Sequence, residues 1–447
     1  MGGNETTTSR RRYLLAVGAA GLAGCVGVLG GDDSTDDSQD GSSGSDGGDG
    51  GDGGSTATPT PEATQTQTPD ETPTPEETPE ETPEETATPT GPSVSGSPMF
   101  QFDAYNTGYD ADGTAPRKGL VVEWSYEPGQ AVRTSPAVRN GVVYVGSDNG
   151  QVYALGAAEG SVAWSRDLGG AVRSSPAVVD GLVYVGNDDG QVYALDAATG
   201  AVQWRFRTNR RVRSSPTVAD GVVYVGSVDG TVYALDAGTG EAVWSFGTDG
   251  AVVSSPAVAD GVVYVGSDDD RVYGLEATSG ERYWQYDHDA ESKVQSSPTV
   301  VGDTVYVGSD DTRVYALDAE NGQRRWRAKT NSRVHSSPAV TGETVYVTSR
   351  SNQVYALDRE TGAEEWTFET SGPILTSPTA VDDTVYVGCD RSSNTADTST
   401  VYAIDAAEGT EVAVETTTGN IRTTPAVVDG TVYVADDSRV YALVAFG

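Results

Sequence analysis

The chain has very few of the groups on which most enzyme chemistry is built. Of its 447 residues only two are cysteine (Cys25, Cys389), two histidine (His288, His335) and three lysine (Lys118, Lys293, Lys329). Past Cys25 only Cys389 remains, so a domain without the first 25 residues can form no internal disulfide, and its stability must come from its core. Two histidines outside any metal-ligand spacing are too few for a His-rich centre. The many serines have no adjacent base, so a hydrolase triad has no support. Asp-Asp-Gly turns look like pieces of calcium loops, but the 12-residue ligand pattern is missing. The apolar run Tyr13 to Ala23 is far shorter than the ~20 residues a spanning helix needs. With 66 Asp and Glu against 28 Lys and Arg the formal charge is −38, which repels nucleic acid.

What is present begins with an address. Ser9-Arg10-Arg11-Arg12-Tyr13-Leu14 has the form of a twin-arginine export signal, and Leu22-Ala23-Gly24-Cys25 that of a lipobox, in which the cysteine sulfur takes a lipid before cleavage. The alternative is an ordinary signal peptide with an incidental Cys25. Residues 26–97 carry 17 acidic residues and no Lys or Arg, first in Gly/Ser/Asp and then in Thr/Pro/Glu repeats. Such a stretch cannot offset its chain entropy by apolar burial, and it reads as a disordered, extended stalk. The expected organisation is therefore a signal peptide over 1–25, a stalk over 26–97 and a folded domain over 98–447. The domain carries −23 of the charge. Dense carboxylate with scarce lysine resembles the proteins of halophilic archaea, where salt shortens the Debye length to ~3 Å or less; a merely acidic mesophilic protein is the alternative. The expected location is the extracellular face of the cytoplasmic membrane, held by lipid at Cys25.

Within the domain, Ser-Pro or Thr-Pro recurs eight times, at Pro136, Pro176, Pro216, Pro256, Pro298, Pro338, Pro378 and Pro425. A period near 40 residues built from short apolar runs and Gly/Asp turns signals a β-propeller. In the second repeat, Ser175 to Val179 opens as a strand, and Asp180-Gly181 turns into Leu182 to Gly186. A further turn leads to Val192 to Leu195, and a fourth strand carries Trp204. Trp124, Trp164, Trp204, Trp244, Trp284, Trp326 and Trp366 take equivalent fourth-strand places as blade-docking residues, with Ala413 in the eighth. Trp124 precedes the first Ser-Pro and the last repeat lacks a fourth strand, so Val121 to Tyr126 is expected beside Val440 to Leu443. The expected fold is all-β: an eight-bladed propeller of four-stranded antiparallel blades, closed by an N-terminal strand within one chain, hence a monomer.

The run Ala194-Leu195-Asp196-Ala197-Ala198-Thr199-Gly200-Ala201-Val202-Gln203-Trp204 resembles the docking motif of quinoprotein-like (PQQ-repeat) propellers, and the resemblance covers essentially 98–447. Ala234 to Trp244 and Ala356 to Trp366 repeat it closely, while Gly156 and Ala413 depart from it. Pro98-Met99-Phe100, Asp103 and Asn106-Thr107-Gly108 also look like the segment that precedes these propellers. The resemblance implies one of two functions. Dehydrogenase members stack PQQ on a tryptophan, hold Ca²⁺ with a carboxylate and an Asn, and use an Asp as base. Other members are non-catalytic scaffolds such as the BamB-type lipoprotein of outer-membrane assembly, a role that would not carry over to an archaeal cell. Here all seven tryptophans fall in docking places, Cys389 has no neighbouring partner, and no departure from the repeat combines Glu, Asn and Asp. The expectation is a scaffold with no cofactor, catalytic residue or metal, binding a protein or surface glycan; the alternative is a PQQ- and Ca²⁺-dependent alcohol or sugar dehydrogenase.

One constellation is a candidate ligand site. Three residues before the prolines stand Arg133, Arg173, Arg213, Val253, Gln295, His335, Leu375 and Arg422, close to second-to-third-strand loops rich in Asp. Arg133, Arg173, Arg213, His335 and Arg422 would crowd one channel mouth. They either pair with Asp148, Asp188 and their equivalents and staple neighbouring blades, or capture an anionic ligand. The long loop Cys389 to Ser399 and the shorter insertion Asp287 to Ser292 share that face.

Overall fold

The computed structural model describes Ser97 and residues 99–110, 113–116, 119–288, 292–390 and 398–446. The signal peptide, the lipobox with Cys25, the stalk up to residue 96 and the long-loop residues 391–397 lie outside the described residues. Contacts divide the chain between Glu84 and Glu85, and the fold below is that of the second unit.

Eight sheets form from alternating, β-branched runs, each with four antiparallel strands, and one of them gains a fifth, parallel strand. In the first blade these are Ala137–Arg139, Val142–Gly146, Gln151–Gly156 and Val162–Asp167, from the innermost strand outward. The next six blades repeat it. The second and third strands are buried on both faces, as in Val183, Tyr184 and Val185, because each sheet is covered by a neighbour on either side. Between the first two strands sit Asn140-Gly141, Asp180-Gly181, Asp220-Gly221 and Asp260-Gly261, all with positive φ, the geometry of a tight hairpin turn with matching twist.

The eighth blade is shared between the chain ends, as the tryptophan spacing predicts. Ala426–Val428, Thr431–Ala435 and Val440–Ala445 come from the C-terminus, and Leu120–Tyr126 adds the outer strand with Trp124 opposite Ala442 and Ser125 opposite Tyr441.

Two hydrogen-bond systems hold the ring. The first explains the Ser/Thr-Pro period. The backbone N–H of Ser135 donates to Ser175 Oγ, Ser175 to Ser215, Ser215 to Ser255, Ser255 to Ser297, Ser297 to Ser337, Ser337 to Ser377 and Ser377 to Thr424. Thr424 N–H donates back to Ser135 Oγ at 3.0 Å, so the belt closes on itself. In the second system, one carbonyl in each of blades 1 to 7 accepts from two side chains of the blade before it. Trp204 Nε1 and Tyr184 Oη both donate to Ala237 O, at 2.8 and 3.1 Å. The indole lies on the glycine of that turn: a Cβ on Gly240 (φ +73°) would stand 2.6 Å from Trp204, which requires glycine there. All seven tryptophans donate in this way.

This accounts for Ala413. The third and fourth strands of blade 8 come from opposite chain ends, so no third-to-fourth-strand turn exists there to seat an indole. Tyr386 Oη, in the blade of Ala413, donates instead to Pro116 O of the N-terminal segment.

That segment also fills one end of the central channel. Ser97 O, Ala104 O, Tyr105 O, Thr107 O and Gly108 O accept from Val138, Val258, Val300, Val340 and Ala380, each two residues beyond its blade's proline. Tyr109–Asp110 then adds a short parallel strand to Thr379–Val381. Asn106 Nδ2 donates to Pro256 O and Pro298 O, at 3.0 and 3.1 Å, tying together the neighbouring blades 4 and 5. Asp103 organises the segment by accepting from Tyr105 N, Thr107 N and Thr107 Oγ1. Burial raises its pKa, against the hydrogen bonds from Thr107, Tyr105 and Asn106. A space of about 10 Å³ remains between this segment and the belt at Ser135, Pro136, Thr424 and Pro425.

Candidate functional site

With that end filled, the open end of the channel is the loop face. It is built twice per blade, from the segment leading into the innermost strand and from the loop between the second and third strands. Backbone pairing fixes their register: Asp148 N–H donates to Ala131 O, Asp188 to Ala171, Val228 to Arg211, and so around to Asp437 and Asn420. Each lead-in residue three before the proline therefore lies between the loops of its own and the preceding blade.

Arg133, Arg173 and Arg213 form one charge chain there. Arg133 Nε bonds Asp148 Oδ2 and Arg173 Nε bonds Asp148 Oδ1, both at 2.8 Å. Arg173 reaches on to Asp188 at 3.2 Å, and Asp188 to Arg213 at 3.1 Å. Burial alone would raise the pKa of Asp148, but hydrogen bonds and charge from Arg173 and Arg133 outweigh it and hold the carboxyl below the usual 3.8. Arg173 is correspondingly raised, chiefly by its hydrogen bond to Asp148. Three of the five sequence-derived site residues thus already hold carboxylate partners and span the junctions of blades 1, 2 and 3.

Reading the two loop positions together shows a rule that inspection of the lead-in positions alone missed. Across successive junctions the loop and lead-in residues are Asp148 with Arg173, Asp188 with Arg213, Val228 with Val253, Asp268 with Gln295, Asp310 with His335, Arg350 with Leu375, and Asp390 with Arg422. Gln295 Nε2 donates to Asp268 Oδ1 at 3.0 Å, and Arg422 lies 3.6 Å from Asp390. Where the acid becomes valine, its partner also becomes valine. Where it becomes Arg350, its partner becomes Leu375, so like charges never face each other across a junction.

His335 and Arg422 belong to a different environment from the first three arginines. His335 Nε2 is in contact with Asp310 Oδ1 without hydrogen-bond geometry, and Arg333 approaches the same carboxylate at 3.6 Å. Burial lowers the pKa of His335, opposed by Asp310 and assisted by Arg350 and Arg333, which favours the neutral ring at neutral pH. Beside it opens a cavity of about 230 Å³, lined by His335, Ser336, Thr348, Arg350, Ile374, Leu375 and Arg422. Arg350 is exposed. The sequence signal that could have found it is the one junction where a cation replaces the loop acid.

The tandem of four-stranded, tryptophan-docked blades defines a PQQ-type propeller. The chain belongs to the family described as "Outer membrane protein assembly factor BamB", whose profile matches residues 114–219, 188–337 and 310–445. No curated protein matches it. Among solved structures it is similar to BamB from Moraxella catarrhalis, with 21% identity, a TM-score of 0.63, and coverage of 72% of this chain and 99% of that one. It is likewise similar to the quinohemoprotein alcohol dehydrogenase from Comamonas testosteroni, at 18% identity, a TM-score of 0.67 and coverage of 79% and 81%. A europium-containing methanol dehydrogenase gives 13%, 0.66, and coverage of 79% and 98%. At these identities the likeness is one of fold.

Proposed function

We propose that this protein is a non-catalytic, lipid-anchored scaffold of the cell envelope that binds a protein or surface-glycan partner through the loop face of its propeller. One observation carries this reading. The side chains the repeat supplies in number are engaged in the ring itself: seven tryptophans in blade docking, the Ser/Thr hydroxyls in the belt, and Arg133, Arg173 and Arg213 in ion pairs. What remains for recognition is the loop face, where the junction pattern changes.

The residues present do not fit PQQ with Ca²⁺. Every indole is docked between blades, so none floors the channel. Among the described residues, the mouth cavity is lined by no tryptophan, asparagine or carboxylate. Among the described residues no group of three His, Cys, Asp or Glu could hold a metal. The twin-arginine signal, the lipobox at Cys25, the placement on the outer face of the cytoplasmic membrane and the salt-adapted setting are part of the same proposal and rest on the sequence.

Expression of the full chain and of Cys25→Ser in a halophilic host tests the anchor. Partition into detergent and a lipid mass increment are expected for the first and not for the second. Crosslinking on whole cells in high salt, followed by capture of the chain, is expected to retain one recurrent partner. Dye reduction with alcohols or sugars on adding PQQ and Ca²⁺ would overturn the scaffold reading.

A further inference from the structure

The junction between blades 6 and 7 inverts the charge found at the acid-bearing junctions, and a cavity opens on that spot. The loop residue is Arg350 in place of an acid, and its counterpart across the junction is Leu375 in place of a cation or amide. Arg350 is exposed, and among the described residues it makes no ion pair. Arg422, on the far wall, approaches Asp390 at 3.6 Å, against 2.8 Å for Arg133 and Arg173 on Asp148. Ser336 Oγ donates to Thr348 O and Thr348 Oγ1 to Thr376 O, so both hydroxyl protons in the lining are already committed. Beside His335, the donors left in the lining are the guanidinium groups of Arg350 and Arg422, and Ile374 and Leu375 form an apolar wall. Asp310, in contact with His335 and approached by Arg333, is not among the residues that line the cavity. In a domain of net charge −23, this sector presents cations with no acid among the described residues of the lining.

We propose that the cavity between Arg350 and Arg422 is a binding site for a carboxylate carried on a short aliphatic body. A planar guanidinium matches the two oxygens of a carboxylate, and two of them on one pocket recognise it without a metal. The apolar wall favours a methylene stem next to that head, which a bare phosphate lacks. Two sources share this chemistry: a free organic acid and a glutamyl side chain presented by a partner. The inference deepens the scaffold reading by naming what one sector of the loop face takes.

The test is isothermal titration of the full chain with glutarate, with the blocked peptide acetyl-Gly-Glu-Gly-amide, and with inorganic phosphate, each in low and in molar KCl. Glutarate or the peptide is expected to bind more tightly than phosphate. The better of the two identifies the source. Arg350→Ala should weaken that binding about tenfold or more, the loss expected when one charge-assisted hydrogen-bond partner is removed. The decisive variant is Arg350→Asp with Leu375→Arg, which writes the ordinary junction into the odd one. It should abolish binding while leaving the melting temperature equal or higher, so a folding defect cannot imitate the result. Absence of binding by wild type, preference for phosphate, or undiminished binding by the double variant would each overturn the assignment. A chain that ignores glutarate and the peptide yet still crosslinks its partner through the loop face would overturn only this inference and leave the scaffold reading standing.

Discussion

Blades 1 to 3 and blades 6 to 8 are built on the same frame and differ in what they show to solvent. In the first sector Asp148 and Asp188 sit between arginines, and the charges satisfy one another along the rim. In the second the same backbone positions carry Arg350 and Leu375 beside a cavity. The belt and the docking carbonyls run through both without change: Ser215 N–H donates to Ser255, and Ser337 N–H to Ser377. Folding is therefore secured deeper in the ring, and the rim can specialise at little cost to the fold.

Four outcomes would break or sharpen that contrast. Gly200→Ala and Gly362→Ala should be the most damaging, each by about 3 kcal/mol, because a positive φ and a contact with an indole are both violated. Their added Cβ atoms would stand 2.6 and 2.5 Å from Trp164 and Trp326, in opposite sectors. Unequal shifts in the urea midpoint would show that the frame is not uniform. Next, Ser215→Ala and Ser377→Ala should each cost about 2 kcal/mol, since a buried N–H loses its acceptor. The same denaturation series reads both.

At the rim the sectors should part. Asp188→Ala removes partners from Arg173 and Arg213 and should cost about 1 kcal/mol or less in low salt, the effect fading in molar KCl. Arg350→Ala, which breaks no ion pair, should leave the melting temperature unchanged. A destabilised Arg350→Ala would erase the distinction. Last and smallest are two pH effects of different origin. The folded pKa of Asp148 lies below 3.8, so its contribution is fully present above 3.8 and is lost as pH falls from there through the lower folded value; Asp148→Asn should flatten the acid limb of the stability profile in that window. His335 is also lowered, from 6.5, so the fold loses stability as pH falls below 6.5 and the ring must be charged in place. His335→Gln should remove that slope, read from melting temperatures across the window.

The Ser/Thr-Pro period makes the eight blades legible, and Trp124 with the missing last strand makes the closure legible, because both are local repeats. The belt is not readable in that way: each hydroxyl meets a residue about 40 positions distant, and nothing in Ser-Ser-Pro says so. The channel filling was hidden because Met99 to Gly108 has neither strand alternation nor helical period and is held by carbonyls that every residue possesses. Arg133, Arg173 and Arg213 were visible as a constellation, but their partners decide their role. Arg350 could have been found by comparing two positions of the repeat at once, since its departure makes sense only beside Leu375.

The shared eighth blade has a consequence for synthesis. Leu120–Tyr126 is made early in the domain, yet Val440–Ala445, its strand partner among the described residues, is the last strand of the ring to be made. Until then Leu120–Tyr126 has no ladder to join, and the ring stays open by one seam. Without Val440–Ala445 the outer strand has no seat, so the circle can close only after the last-made strand of the ring is in place.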